Sequence, residues 1–202
     1  MERMKTIGLV GGVASGKSRV AAMLVELGAG LLDADRTGHE VLASDPEVRE
    51  AVRQHWGEGV LKADGTPDRA AIAERVFGSE GAADRAFLEE LLHPRIRERL
   101  EAQRSRYAAE GRLAIVLDAP LLLEAGWGPL CDVIVIVEAS RDVRLARAAD
   151  RGWSEAEFDE REAAQWPVER KRQEANVVIE NQGSLTDLRD AVHTFWQQQI
   201  ER

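Results

Sequence analysis

An apolar run at residues 5–10 has the length and continuity of a strand buried on both faces. A helical period follows at once. Val20, Met23, Leu24 and Leu27 recur at three- and four-residue spacing, which predicts a helix over 17–27 that stops at Gly28. "GLLDAD" at 30–35 reads as a short second strand ending in two acids. From 40 to about 110 the pattern is mostly helical, broken by the turn-rich "GEGVLKADGTPD" at 57–68. "LAIVLDAP" (113–120) and "CDVIVIVEA" (131–139) are again apolar runs of strand length. A charged helical stretch occupies 141–175, "NVVIEN" (176–181) predicts a last short strand, and 184–200 a closing helix. Strands alternating with helices imply an α/β fold with a mainly parallel sheet. The 40–110 insertion is too long for a simple crossover and predicts a helical subdomain.

Composition narrows the function classes. At 202 residues the chain can bury one full core. A net charge of −9 argues against a broad nucleic-acid surface. It does not exclude an anionic small substrate, since a few local cations can hold one against the global charge. The longest apolar stretches fall short of a membrane span, and the apolar segment at the start is too short for a signal peptide. Cys131 is the single cysteine, which agrees with a reducing compartment and a structural thiol. A cytoplasmic protein is expected, acting on no membrane and no nucleic acid.

The residues between the first strand and the first helix change the picture most. "GGVASGKS" at 11–18 satisfies Gly-x-x-x-x-Gly-Lys-Ser with Gly11, Gly16, Lys17 and Ser18. Glycines let successive backbone N–H groups turn inward around phosphate oxygens. The loop therefore predicts a phosphate cradle made of Gly11, Gly12, Val13, Ala14, Ser15 and Gly16, with Arg19 just beyond it. The positive end of the helix points at the same place, Lys17 would reach the terminal phosphates, and the Ser18 hydroxyl would join a magnesium shell. Ala14 stands where a loop glycine is frequent, so φ below zero is expected there.

A phosphoryl group also needs a destination. Ligands collect beyond the carboxyl ends of strands in such sheets, where Asp33 and Asp35 are expected. Either acid could accept a proton from an attacking hydroxyl or hold magnesium-bound water, or cap a helix. Asp118, ending the third core strand, could support magnesium or cap. Arg144, Arg147 and Arg151 recur at i, i+3 and i+7, which would place them on one helix face. There they could neutralise charge on a transferred phosphoryl group, unless they form a solvated face. Alone, His93 reads as a structural histidine and Trp127, Trp153 and Trp166 as packing residues.

In this order, "IGLVGGVASGKS", "DAD", "LLHPRIR" (91–97), "PLLLE" (120–124), the arginine row, "REAAQWPVERK" (161–171) and "VVIENQGS" (177–184) resemble the dephospho-coenzyme A kinase family over nearly the whole chain. The resemblance implies a three-layer P-loop fold with a nucleotide-binding core (1–36, 111–140 and 176–202), a helical coenzyme A subdomain (37–110) and a helical lid (141–175). It implies transfer of the γ-phosphoryl of ATP, with Mg2+, to the ribose 3′-hydroxyl of dephospho-CoA, giving CoA and ADP. It further implies Asp35 as catalytic base beside Asp33, and an acceptor pocket with His93, Pro94 and Arg97, walled by Leu121, Leu122 and the rest of the segment to Glu124. Arg147 and Arg151 would meet the nucleotide from the lid, and Asn181 to Gly183 would line the adenine. His39 and Asn176 depart from the family's frequent arginine and aspartate. A monomer or weak homo-oligomer is expected. The rival activities are a kinase for another small acceptor, such as a nucleoside monophosphate, and a P-loop switch that transfers nothing.

Overall fold

The computed structural model describes residues 3–77 and 81–201, so positions 78–80 of the helical insertion lie outside it. Among the described residues, five strands form one sheet, parallel throughout, in the order β2-β3-β1-β4-β5. They are β1 (Lys5–Gly11), β2 (Gly30–Asp33), β3 (Ala114–Asp118), β4 (Val133–Glu138) and β5 (Val177–Glu180). Parallel strands need crossovers, and helices supply them. Helix α1 (Lys17–Glu26) follows β1 and α9 (Leu185–Gln199) closes the chain.

The alternation of side chains along each strand builds two faces. On one, Ile7, Leu9, Val116, Val135, Val137 and Ile179 join Val20 and Leu24 of α1 and Leu188, Val192, Phe195 and Trp196 of α9 in one core cluster. On the other, Val10, Ile115, Leu117, Ile134 and Ile136 are equally buried. Helix α8 (Val168–Glu174) approaches β1 and β4. Helices α6 (Arg141–Ala149) and α7 (Glu155–Ala163) precede it. This is the α/β fold with a parallel sheet expected from the strand pattern, and the three-layer P-loop architecture that the family resemblance implies.

The insertion is helical: α2 (Ala34–Ser44), α3 (Pro46–Trp56), α4 (Arg69–Phe77) and α5 (Ala82–Ala109). Its interruption is a tight turn, where Leu61 bridges Pro67 and Gly65 takes φ 76°. The chain divides into two compact units, 1–33 with 104–202, and 34–103. Within the second, Val41, Leu42, Val48, Val52, Val60, Ile72, Val76, Ile96 and Leu100 are buried. The Asp45 carboxylate caps α3 by accepting the Glu47 and Val48 N–H groups at 2.9 and 3.2 Å.

Two expectations need correction here. The second strand ends at Asp33, not Asp35: Ala34 and Asp35 open α2, with Asp35 in its first turn. An acid there is favoured by the helix's positive end. The arginine row is not one helical face, because α6 ends at Ala149 and the chain turns through Gly152 at φ 81°, leaving Arg151 beyond the helix.

Candidate active site

The loop between β1 and α1 leaves the sheet where strand order reverses, since β1 lies between β3 and β4. Its backbone explains its composition. Gly11 has φ 152°, and a Cβ there would come within 2.5 Å of the Val137 carbonyl oxygen. Gly16 has φ 103°, and a Cβ would come within 2.1 Å of Asn181 Nδ2. Ala14 takes φ 57°, against the expected negative value. An L-residue in this conformation costs about 1–2 kcal/mol. Burial of its methyl with Val13, Ala148 and Phe158 offsets part of that cost. The cradle is thus kept by strain at Ala14.

Helix α1 starts without a side-chain cap and without an acid in its first turn. The amides of Gly16, Lys17 and Ser18 find no acceptor among the described residues. Three unfilled donors at a positive helix end fit an anion. They border a pocket of about 190 Å³ lined by Ala14, Ser15, Gly16, Lys17, Ser18, Arg19, Arg147, Arg151 and Asn181. Four cations and no carboxylate line it, in a chain of net charge −9. Arg147 shows the strain of that concentration: burial, then Arg19 and Arg151, hold its guanidinium below the usual value.

Arg147 and Asn181 also brace the loop. Arg147 donates to the Ser15 carbonyl at 3.2 Å and to the Asn181 carbonyl at 2.9 Å. Asn181 Nδ2 donates to the same Ser15 oxygen at 2.7 Å. Gly183 stands exposed two residues on, in the turn before α9.

Lys17 donates to the carbonyls of Gly11 and Gly12 at 3.1 and 3.4 Å. Its pKa is lowered to about 8, first by burial and then by Lys171, with Arg144 adding to the lowering while Asp118 and Glu124 oppose it. Asp118 and Asp33 are register partners on β3 and β2, and Asp118 is also paired with Leu9. Both acids therefore share the α1 face at the sheet's carboxyl edge.

Behind the loop lies a second set of charges, in which the sequence singled out Arg144 and Glu124 but not their partners Glu162 and Lys171. Arg144 turns inward rather than toward the pocket: it pairs with Glu162, reaches the Val13 carbonyl at 3.4 Å and lies over Phe158. Lys171 is 1% exposed, 3.3 Å from Glu124 and 2.7 Å from Gln165 Oε1. Glu124 also accepts the Trp166 N–H at 2.8 Å. Lys171 closes the segment "REAAQWPVERK" (161–171) that contributes to the family resemblance, but no role was read for it there. The available signal was its i, i+3 relation to Val168, whose Cγ2 is 3.1 Å from where a Gly12 Cβ would be.

The acceptor residues fall in two places. His93, Pro94 and Arg97 are exposed on α5, where Arg97 pairs with Glu101 at 3.0 Å. Leu121 is 44% exposed, whereas Leu122 is fully buried, its side chain facing Gly8. A pocket-wall role for the Leu122 side chain is therefore corrected to a core role. His39, in α2, is 2.7 Å from Arg69. Asn176 accepts the Ile134 N–H at 2.8 Å and so fixes the start of β5.

Comparison with known proteins bears on the fold and the family. The dephospho-CoA kinase from Symbiobacterium thermophilum is 40% identical over 194 residues, covering 96% of this chain and 80% of that protein. A crystal structure of a Thermus thermophilus protein superposes with a TM-score of 0.83 at 34% identity, over 98% of this chain and 99% of that one. The dephospho-CoA kinase of Campylobacter jejuni, at 23% identity and a TM-score of 0.73 over 98% of each chain, shares the fold. The family model for dephospho-CoA kinase matches residues 5–187, and the chain belongs to that family.

Proposed function

We propose that this chain moves the γ-phosphoryl group of ATP to the ribose 3′-hydroxyl of dephospho-CoA, yielding CoA and ADP. The phosphorylation of dephospho-CoA is the family's activity, the final step of CoA synthesis. The observation that carries the nucleotide half is the pocket at the α1 N-terminus, with its unfilled amides and its lining of Lys17, Arg19, Arg147 and Arg151.

Phosphoryl transfer through a loose transition state depends on positioning and charge neutralisation, and needs no covalent enzyme intermediate. The 11–18 backbone would hold the phosphate oxygens, and Lys17 and Arg147 would stabilise charge on the group in flight. Arg151 and Arg19 would guide the nucleotide's remaining charge, and Asn181 would hold the loop in shape. Asp35 would accept the proton of the attacking hydroxyl, with Asp33 beside it in sequence. His93, Pro94, Arg97 and Leu121 would bind the acceptor. Residues 141–175 would act as the lid, the 37–110 segment as the acceptor subdomain, and the remainder as the nucleotide core. Ser18 suits a Mg2+ ligand, and the ion would supply charge neutralisation between the terminal phosphates. A cytoplasmic location fits the single cysteine, whose thiol burial pushes up to about 11, and the chain would act as a monomer or weak homo-oligomer. No described helix is long and apolar enough to cross a membrane.

The test is purified protein with Mg-ATP, with and without dephospho-CoA, following ADP and CoA by chromatography. Stoichiometric CoA and ADP, with little ADP in the absence of acceptor, is the expected result. ADP formation indifferent to dephospho-CoA would instead indicate a switch or a different acceptor. Within the same assay, Asp35→Asn should lower turnover by about 10²–10⁴ while ATP affinity changes only a few-fold. Turnover near wild type would remove Asp35 as the base.

A further inference from the structure

We infer that Lys171 is a positioning residue that keeps Glu124 occupied, so that Lys17 stays uncommitted to any carboxylate and available to phosphate. This rests on the phosphate-loop reading above. Three cations are packed in and behind the loop, and their partners differ. Arg144 has Glu162, and Lys171 has Glu124. Among the described residues, Lys17 donates hydrogen bonds to the carbonyls of Gly11 and Gly12 and to no carboxylate, although the charges of Asp118 and Glu124 act on it. Neutral acceptors hold a buried ammonium more weakly than a carboxylate does, so an arriving phosphate can displace them.

Two carboxylates, Asp118 and Glu124, act on Lys17, and Glu124 is the one that Lys171 holds. The geometry of Glu124 is what makes that hold matter. Glu124 is 15% exposed, its Oε2 is buried without a hydrogen-bond partner, and its charge already acts on Lys17. A buried carboxylate left alone is costly and takes whatever cation it can reach. Lys171 prevents that with a side chain that is 1% exposed, held from its other side by Gln165. The Trp166 N–H fixes the same carboxylate from the backbone. Glu124 is therefore part of the nucleotide side's electrostatic frame.

The arrangement predicts an asymmetry that a plain structural ion pair would lack. In Lys171→Met, Glu124 is freed to draw Lys17 away from the cradle. In Glu124→Gln, the pull of Glu124 on Lys17 is removed and that of Asp118 stays as in the wild type. Binding of Mg-ATP without acceptor, measured by calorimetry on the full chain, should weaken about tenfold or more in K171M. It should stay within about threefold of wild type in E124Q, and return to that range in the double variant E124Q/K171M. With dephospho-CoA present, the K171M defect should fall on KM for ATP rather than on kcat. K171M binding like wild type, or a double variant as weak as K171M, would overturn the inference. Should K171M fail to fold, the double variant, which removes both charges of the Lys171–Glu124 pair, still decides: loss of ATP binding there overturns it. Failure of the wild-type protein to bind Mg-ATP would remove the phosphate-loop reading itself.

Discussion

Lys17 concentrates the physics of the site in one ammonium group. In the free protein its pKa is about 8 rather than 10.5, chiefly because burial penalises its charge. At pH 7 it is mostly protonated, and at pH 9 about nine-tenths would be neutral. Phosphate oxygens beside it favour the charged form, so nucleotide binding must raise that pKa again. Below pH 7 the group carries its proton in both states and exchanges none. Between the free and bound values, binding takes up a proton and affinity falls as pH rises. Calorimetry in buffers of different ionisation enthalpy should find little uptake from Lys17 at pH 7 and nearly one proton at pH 9. An uptake that does not grow between those values would mean that Lys17 keeps its charge in the free protein.

Elements differ in how openly the sequence displays them. The five strands and α1 were legible because fully buried parallel strands and an amphipathic helix leave contrasting periodicities, and the phosphate loop because its glycines answer to backbone geometry. Gly16 at φ 103° is in a conformation that other residues rarely adopt, and a Cβ there would come within 2.1 Å of Asn181 Nδ2. Boundaries were less legible. "DAD" hides a strand-to-helix change at Asp33, since acids suit both a strand end and a first helical turn. The φ of Ala14 was misjudged because its strain is offset by tertiary packing. Lys171 and Glu124 were opaque as a pair because their partnership spans 47 positions (171 − 124) and follows no local period. The final helix shows the legible kind of signal at its start. Ser184 accepts the Asp187 N–H while Asp187 accepts the Ser184 N–H, a reciprocal cap on the helix that buries Phe195 and Trp196. Ser184→Ala should destabilise by about 1 kcal/mol. That lowers the melting temperature by roughly 2–4 °C for a chain of this size. An unchanged melting curve would mean that α9 is held by its buried face alone.

For the molecule as a whole, the unliganded state carries a local electrostatic cost. Lys17, Arg19, Arg147 and Arg151 meet at one pocket with no carboxylate among its lining residues, while acids elsewhere give the chain its net charge of −9. Separating charge this way raises the potential at the pocket and attracts an anionic ligand, at the expense of mutual repulsion before it arrives. A triphosphate should therefore stabilise the fold both by mass action and by relieving that repulsion. At a concentration of one hundred times Kd, ligand linkage alone gives about 2.7 kcal/mol. For 202 residues this corresponds to a melting temperature higher by roughly 5–10 °C. Inorganic triphosphate should reproduce much of the shift, since four cations and no carboxylate line the pocket, whereas adenosine should produce little. Thermal unfolding with ATP, triphosphate and adenosine in parallel checks the point. A shift with adenosine equal to that with ATP would place the affinity in base recognition, and the cradle at 11–18 would no longer be the principal source of nucleotide binding.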